Sequence, residues 1–395
     1  MKKVIVTGVT GQDGSLMVDY LIGNFTDIEV YGGVRRLSVN NHQNIDHLKN
    51  EERFKIIDFD LSDPHSIRNC VQEIQPDFFI NFAAQSFVGV SWEIPRQTFA
   101  VDALAVLDIL EAIRKFAPEC RFYNAGSSEE FGDVQYSPQD EEHPLRPRSP
   151  YGAAKASARH IVKVYRESYN LFAIQGWLFN HEGFRRGEEF VTRKITKGVS
   201  RIYYELNDMD KWRYRRSGNE PLRFEPLVLG NLDTYRDWSD AEDFMHGVWL
   251  MLNSAEPKEY VLSSGETHSI REFVEKAFKQ AQIPCAWKYG QPEQDDYEPL
   301  EERLLYLHHK HKDKNGQHLP LVTVSPLFYR PNEVNLLQGD SSKIIEELGY
   351  DRKPSLDMLI YSMLANDMKP YFPHGSPAFR ENNYLHEQDY AGEIQ

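Results

Sequence analysis

Val4-Ile5-Val6-Thr7-Gly8-Val9-Thr10-Gly11-Gln12-Asp13-Gly14 is the stretch that decides the fold. Three apolar, β-branched residues make a short buried strand. Glycines follow at 8, 11 and 14, and then a helical pattern runs through Leu16, Tyr20 and Leu21. Glycines so placed permit a tight turn, close approach of the backbone to a pyrophosphate, and close packing of helix on strand. The helix N-terminus then turns its free amides toward the phosphates. The spacing is GxxGxxG rather than GxGxxG, and an ordinary strand-to-helix turn is the plain alternative. A strand before it and a helix after it favour a dinucleotide loop.

The next strand, Ile28 to Val34, bears on which dinucleotide. An enzyme that uses NAD commonly ends this strand on an acid that holds the ribose 2′-hydroxyl. Here the position holds Arg35-Arg36, and the nearest acid, Glu29, lies at the strand's start. Two guanidiniums match the oxygens of a 2′-phosphate, so NADP is expected; a solvent-facing basic loop is the alternative. Strand and helix keep alternating: Phe54-Lys55-Ile56-Ile57, a helix over Pro64 to Ile74, the strand Phe78 to Asn81, a helix from about Pro95 to Phe116, and the strand Arg121 to Asn124. Repeated βα units specify an α/β fold whose parallel sheet is covered on both faces. Asp58-x-Asp60 stands where an adenine would lie, and Asn81-Phe82-Ala83-Ala84-Gln85-Ser86 where a nicotinamide ribose would.

Beyond the fifth strand come Ser127-Ser128-Glu129 and then Tyr151-Gly152-Ala153-Ala154-Lys155. Tyr151 and Lys155 are four apart and share a helix face. Such a pair is usually only a solvated face. An ammonium beside a phenol lowers its pKa from about 10 and makes it usable for proton transfer. Ser127 and Glu129, two apart, are expected on one side of an extended segment at the strand's end. A hydroxyl, a carboxylate and a tuned phenol form a proton-handling set.

The 395 residues carry a net charge of −15 and a pI near 5.4, which argues against nucleic acid and anionic membranes as general partners. Cys70, Cys120 and Cys285 are widely spaced without a CxxC, so neither a disulfide scaffold nor a zinc site is indicated. Lys2-Lys3 before Val4 to Val6 imitates a signal peptide, but the apolar run stops at Thr7-Gly8. No run approaches the roughly 20 apolar residues of a membrane span; a soluble, cytoplasmic protein is expected.

Taken together, the glycine motif, Asn81-x-Ala83-Ala84-Gln85-Ser86, Ser127-x-Glu129 and Tyr151-x-x-x-Lys155 resemble an extended short-chain dehydrogenase/reductase. The closer resemblance is to the GDP-mannose 4,6-dehydratases, through Thr7 to Asp13, Arg35-Arg36, Tyr165 to Tyr169, Phe179-Asn180-His181-Glu182, Arg185 to Glu188 with Phe190 to Ile195, Arg236-Asp237-Trp238 and Tyr329-Arg330-Pro331-x-Glu333-Val334. The resemblance implies a Rossmann-type doubly wound parallel sheet over 1–180, with 231–262 returning to it. A smaller sugar-nucleotide-binding domain over 181–370 and a tail over 371–395 complete the expected chain. It implies cofactor contacts at Thr7, Gly8, Gly11, Gln12, Asp13, Gly14, Arg35, Arg36, Asp60, Leu61, Ala83, Ala84, Gln85, Tyr151 and Lys155. Substrate contacts fall on Ser86, Asn180, Arg185, Val191, Lys194, Arg236, Arg330 and Glu333. It further implies a lyase that uses NADP transiently, assembled as a homodimer or homotetramer. Tyr151 with Lys155 would take the sugar's O4 proton as C4 is oxidised; Glu129 would take the C5 proton; Ser127 with Glu129 would help the 6-hydroxyl leave; reduction at C6 would complete a 4-keto-6-deoxy product.

The sequence departs from that pattern in places. Ser127 stands where the family usually has Thr, and Gly126 where it has Ser; the segments 203–224 and 291–317 are long and charged. GDP-mannose is therefore the expected substrate with a GDP-manno-heptose as alternative, and an epimerase or 4-keto reductase remains the competing outcome on the same scaffold. A catalytically idle NADP-binding protein is the reading from another class; Ser127, Glu129, Tyr151 and Lys155 all being present argues against it. Arg185, Arg193, Lys194, Arg236 and Arg330 supply cations suited to a nucleoside diphosphate, although Arg185 and Arg186 individually read as surface charges. His308-His309-x-His311 lies in a Lys-rich stretch without nearby carboxylates and reads as a solvated helix end rather than a metal site. Trp212 with its neighbouring arginines suggests a nucleic-acid patch that the net charge opposes.

Overall fold

Alternate residues of the first strand face opposite ways: Val4 and Val6 pack into one core, Ile5 into another. Both layers are covered because β1 (Lys2–Thr7) lies in the middle of a seven-stranded sheet. In the computed structural model, which describes residues 1–39, 41–207, 225–289, 305–312, 318–325, 328–329, 334, 336–352 and 355–372, the chain divides into two compact units. The first comprises 1–187, 234–268 and 330–356; the second comprises 188–233, 269–329 and 357–395. Residues 336–352, expected with the substrate domain, fall in the first unit.

In the first unit, β1 leads to α1 (Gln12–Asn24), β2 (Ile28–Val34), β3 (Phe54–Asp58), α2 (Pro64–Ile74) and β4 (Phe78–Asn81). Next come α3 (Pro95–Phe99), a π segment (Ala100–Leu104) and α4 (Ala105–Phe116), then β5 (Arg121–Ala125), α5 (Pro150–Tyr169) and β6 (Ala173–Leu178). The expected 95–116 helix is thus present but carries one wide turn, a device frequent at functional sites. The strand order is β3-β2-β1-β4-β5-β6 followed by Val261–Leu262, parallel throughout. The order reverses between β1 and β4, and ligands of such sheets bind outside the strands' carboxyl ends at that switch point.

Local chemistry fixes the helix ends. Asp63 caps α2 by accepting from the His65 N–H ahead of Pro64, and Ser149 caps α5 by accepting from the Gly152 N–H ahead of Pro150. Helices α1 and Ala241–Asn253 pack on one face of the sheet, α2, α4 and α5 on the other.

In the second unit, helix Val191–Asn207 packs on helix Ile270–Gln280. Strands Cys285–Tyr289, Leu305–Lys312 and His318–Val324 run antiparallel, and the last pairs in parallel with Leu227–Leu229. His308, His309 and His311 belong to the strand Leu305–Lys312, not to a helix end. Trp212 and its arginines lie outside the described residues, as do most of 203–224 and 291–317 and all of 373–395.

Candidate active site

The glycine loop is bare backbone by necessity. Gly8 has φ +70°, and a Cβ on it would lie 2.9 Å from the Ala83 nitrogen. A Cβ on Gly14 would lie 2.4 Å from the Gly8 oxygen. Gly11 begins α1 without any side-chain cap, so its first-turn amides are left for an anion. The polar residues that follow turn inward. Gln12 Nε2 donates to the His181 oxygen and to Asp13 Oδ1, both at 3.0 Å, and Asp13 pairs with His181 Nε2 at 3.0 Å. Burial alone would raise the Asp13 pKa, but His181, Arg186 and Gln12 outweigh it and hold it at about 2. The His181 clamp is not legible in the sequence: His181 lies in the Phe179-to-Glu182 motif, but nothing in its spacing names Asp13 as the partner.

Arg35 and Arg36 are exposed just past β2. Glu29, the acid at the strand's start, is spent on Tyr31 and Lys55. Asp60 accepts from the Ser62 N–H and hydroxyl, capping its own turn, and Leu61 is core. Thr7 is wholly buried; its hydroxyl donates to Asn81 Oδ1 and accepts from the Ala83 N–H. Gln85 Nε2 donates to the Phe87 oxygen and Thr98 Oγ1, its N–H donates to Asp102 Oδ1 at 2.8 Å, and Ser86 is exposed. A nicotinamide dinucleotide fits these residues. The cradle excludes any Cβ at Gly8, and Gln12 Oε1 is buried without a hydrogen-bond partner.

The acid–base set gathers where β5 ends. Ser127 and Glu129 are not on an extended segment: Ser127 caps a 3-10 turn, Ser128–Glu130. Its hydroxyl accepts from the Glu129 N–H at 3.2 Å while the Glu130 carboxylate accepts from its N–H at 2.8 Å. This is a capping box, and Ser127-x-x-Glu130 is its sequence signature. The box separates two adjacent acids. Glu130 is wholly buried and paired with Arg159, whose guanidinium carbon lies 3.4 Å from the Trp177 ring centre. Glu129 stays half-buried beside Ser127.

Tyr151 and Lys155 share the inner face of α5, with Lys155 Nζ 5.8 Å from the Tyr151 ring centre. Lys155 Nζ donates to the Ala125 oxygen at 2.8 Å, which ties α5 to the end of β5. The expected lowering of the Tyr151 pKa is not what the residues produce: burial, then the Asp102 carboxylate, push it up, against a hydrogen bond from the Ser127 hydroxyl that favours the phenolate. Asp102, from the π segment, is raised to about 6 by burial, against Lys155 and the Gln85 N–H. Left to these side chains, Tyr151 holds its proton.

Asn180 lies on a short strand, Asn180–Glu182, parallel to Trp238–Asp240. Arg236 is buried and donates to the Tyr235 oxygen. Arg185 and Arg186 are not the surface charges expected; they pair with Asp19 at 2.6 Å and Glu182 at 3.1 Å, and each is largely buried. In the second unit, Val191 begins its helix, Arg193 pairs with Asp367 at 2.8 Å, and Lys194, its pKa lowered by burial, stands 4.3 Å from the Phe328 ring centre. Arg330 and Glu333 fall outside the described residues.

A doubly wound sheet, a bare glycine loop at its switch point and a Ser-Tyr-Lys set at the end of β5 define an extended short-chain dehydrogenase/reductase. The family model described as GDP-mannose 4,6 dehydratase matches residues 5–363. The GDP-mannose 4,6 dehydratase of Drosophila melanogaster is 39% identical over 93% of this chain and 86% of its own; that of Homo sapiens is 38% identical over 92% and 91%. A solved UDP-glucuronic acid 4-epimerase from Bacillus cereus, with UDP-glucuronic acid and NAD, superposes with a TM-score of 0.71 at 19% identity, covering 93% of this chain and all of the other. The chain belongs to the GDP-mannose 4,6-dehydratase family. It is an enzyme of the hydro-lyase class.

Proposed function

We propose that the enzyme converts GDP-mannose to its 4-keto-6-deoxy derivative and water, with NADP as its cofactor. One observation carries the reading: the Ser127 hydroxyl accepts from the Glu129 N–H and bonds Tyr151, whose phenol also feels the Glu129 charge, so hydroxyl, carboxylate and phenol gather at the end of β5. Tyr151, as the phenolate that the positive charge of a bound oxidised nicotinamide would favour over the protonated form these side chains hold, takes the proton of the sugar's O4, with Lys155 holding α5 against β5. Glu129 takes the proton at C5, which a neighbouring ketone acidifies. Ser127 and Glu129 deliver a proton to the departing 6-hydroxyl. Bound NADP supplies a reversible hydride acceptor; the bare amides of Gly8 to Gly14, Gln12, Asp13, Asp60, Leu61, Ala83, Ala84 and Gln85 would hold it, and Arg35 with Arg36 would hold its 2′-phosphate. Ser86, Asn180, Arg185, Val191, Lys194, Arg236, Arg330 and Glu333 are assigned to the GDP-sugar, with Asn180, Lys194, Arg236 and Arg330 on its GDP end.

The purified protein, offered a panel of GDP-sugars, should yield a 4-keto product from GDP-mannose, detected by its absorbance in alkali. Ser127, one methyl smaller than Thr, favours a second reading in which a GDP-manno-heptose is the substrate; turnover of the heptose far above that of the hexose would decide for it. No product from either would overturn the substrate assignment. A homodimer or homotetramer is proposed as the working state, and a monomer in light scattering at micromolar concentration would contradict it.

A further inference from the structure

Four polar side chains stand in a single row across the buried sheet. Thr7, Asn81, Asn124 and Gln175 are successive register partners on β1, β4, β5 and β6, and none is more than 2% exposed. Strands covered on both faces are ordinarily aliphatic at such positions. Burying polar groups there is costly unless each is bonded. In this row each is. Thr7 Oγ1 donates to Asn81 Oδ1 at 2.6 Å, Asn81 Nδ2 to Asn124 Oδ1 at 2.7 Å, and Asn124 Nδ2 to Gln175 Oε1 at 2.7 Å. Gln175 Nε2 then donates to Glu130 Oε1 at 3.0 Å and to the Lys155 oxygen at 2.9 Å.

The two ends fix the direction of every bond between them. The Ala83 N–H can only donate, so the Thr7 oxygen accepts from it and passes its own proton on. The Glu130 carboxylate, clasped by Arg159, can only accept, so Gln175 must turn its amide nitrogen toward it. Reversing any amide would set oxygen against oxygen and nitrogen against nitrogen. Chains of aligned hydrogen bonds strengthen one another in a low dielectric.

The row also joins two functional parts. One end lies against Gly8 and Ala83, at the glycine loop. The other ends on Glu130, which holds the Ser127 N–H, and on the backbone of Lys155. We propose that this row is a positioning device for the acid–base set, with Gln175 the residue through which it sets Ser127 and Glu129 against Tyr151 and Lys155. The proposal rests on the catalytic roles assigned above. Gln175 touches no reacting atom; it acts through the turn and through α5. A misplacement of about 1 Å can slow catalysis about 10²-fold, which sets the scale of the test.

Gln175→Met keeps length and bulk but removes the acceptor and both donors. Turnover of GDP-mannose is measured per bound cofactor, so that loss of folded protein does not enter. The expected result is a kcat about 10- to 100-fold lower with KM within about twofold. A kcat within twofold of wild type, or a rise in KM alone, would overturn the proposal and leave the row a structural staple. Should Gln175→Met not fold, Thr7→Val removes the far hydroxyl at nearly unchanged shape; a kcat drop of roughly three- to tenfold supports transmission along the row and an unchanged kcat refutes it. Glu129→Gln is run alongside. If it retains wild-type turnover, the catalytic assignment has failed, a result separable from any outcome at Gln175.

Discussion

Two strands of one sheet, β1 and β5, leave it by opposite means. After β1 the chain passes through glycines into a helix whose first amides meet no side-chain cap. After β5 it enters a turn whose amides are taken by its own side chains, Ser127 and Glu130. The first exit offers backbone donors to an anion. The second consumes its donors and carries Glu129, the proposed base, half-buried beside Ser127. The two roles proposed for these strand ends, binding and catalysis, thus go with different partners for the amides that follow.

The largest effect should come from the second exit. Glu129→Gln keeps the shape of the turn but cannot accept the C5 proton, so dehydration should fall by about 10²–10⁴-fold. Oxidation at C4, which does not need Glu129, should persist. A single-turnover experiment would then show reduced nicotinamide accumulating with little solvent deuterium at C5, and near wild-type dehydration would break the assignment.

Glu130→Gln probes the saturation itself. It leaves Arg159 buried with only part of its pairing, at a cost of about 3–5 kcal/mol in a denaturant titration. Loss below about 1 kcal/mol would mean that the capping box is not what holds this turn.

Asp102→Asn should sharpen the picture from outside the turn. The carboxyl faces Lys155, Tyr151 and the Gln85 N–H, and its pKa in the folded protein is about 6. A raised acid pKa penalises the folded state when the group is charged, fully above pH 6, and the penalty fades as pH falls toward the unfolded value near 4. The variant should therefore be more stable by up to about 3 kcal/mol at pH 8, with the gain gone below about pH 4. A gain that grows as pH falls would contradict the sign.

The smallest effect is expected beside the first exit, just past the neighbouring strand β2. Replacing Arg35 and Arg36 with alanine should weaken NADP binding by about tenfold, or 1.4 kcal/mol, and leave NAD binding nearly unchanged. Equal affinity of the wild type for NAD and NADP would remove the reason for assigning these arginines.

Much of the scaffold was legible because its signals are local. Ile28–Val34, Pro64–Ile74 and Phe78–Asn81 could be read from apolar runs and a proline at a helix start. The turn at Ser127 differs from the expected extended segment because Ser127-x-x-Glu130 is a capping box, and its two hydrogen bonds outweigh the strand-like alternation of Ser127 and Glu129. The rise in the Tyr151 pKa was not legible, since Asp102 reaches it from another helix through a wide turn that no spacing rule predicts. Nor was the row from Thr7 to Gln175, whose members are scattered over four strands and meet only through register.

That row also constrains how this enzyme can change. Each inner member is at once donor and acceptor, so a single replacement strands two buried partners rather than one. Routes of substitution through these positions are therefore narrow: one exchange at a time passes through a poorly folded or poorly active protein, and viable alternatives require coordinated changes on neighbouring strands. Anyone transplanting the Ser127-to-Lys155 segment into another sheet would have to carry the row with it.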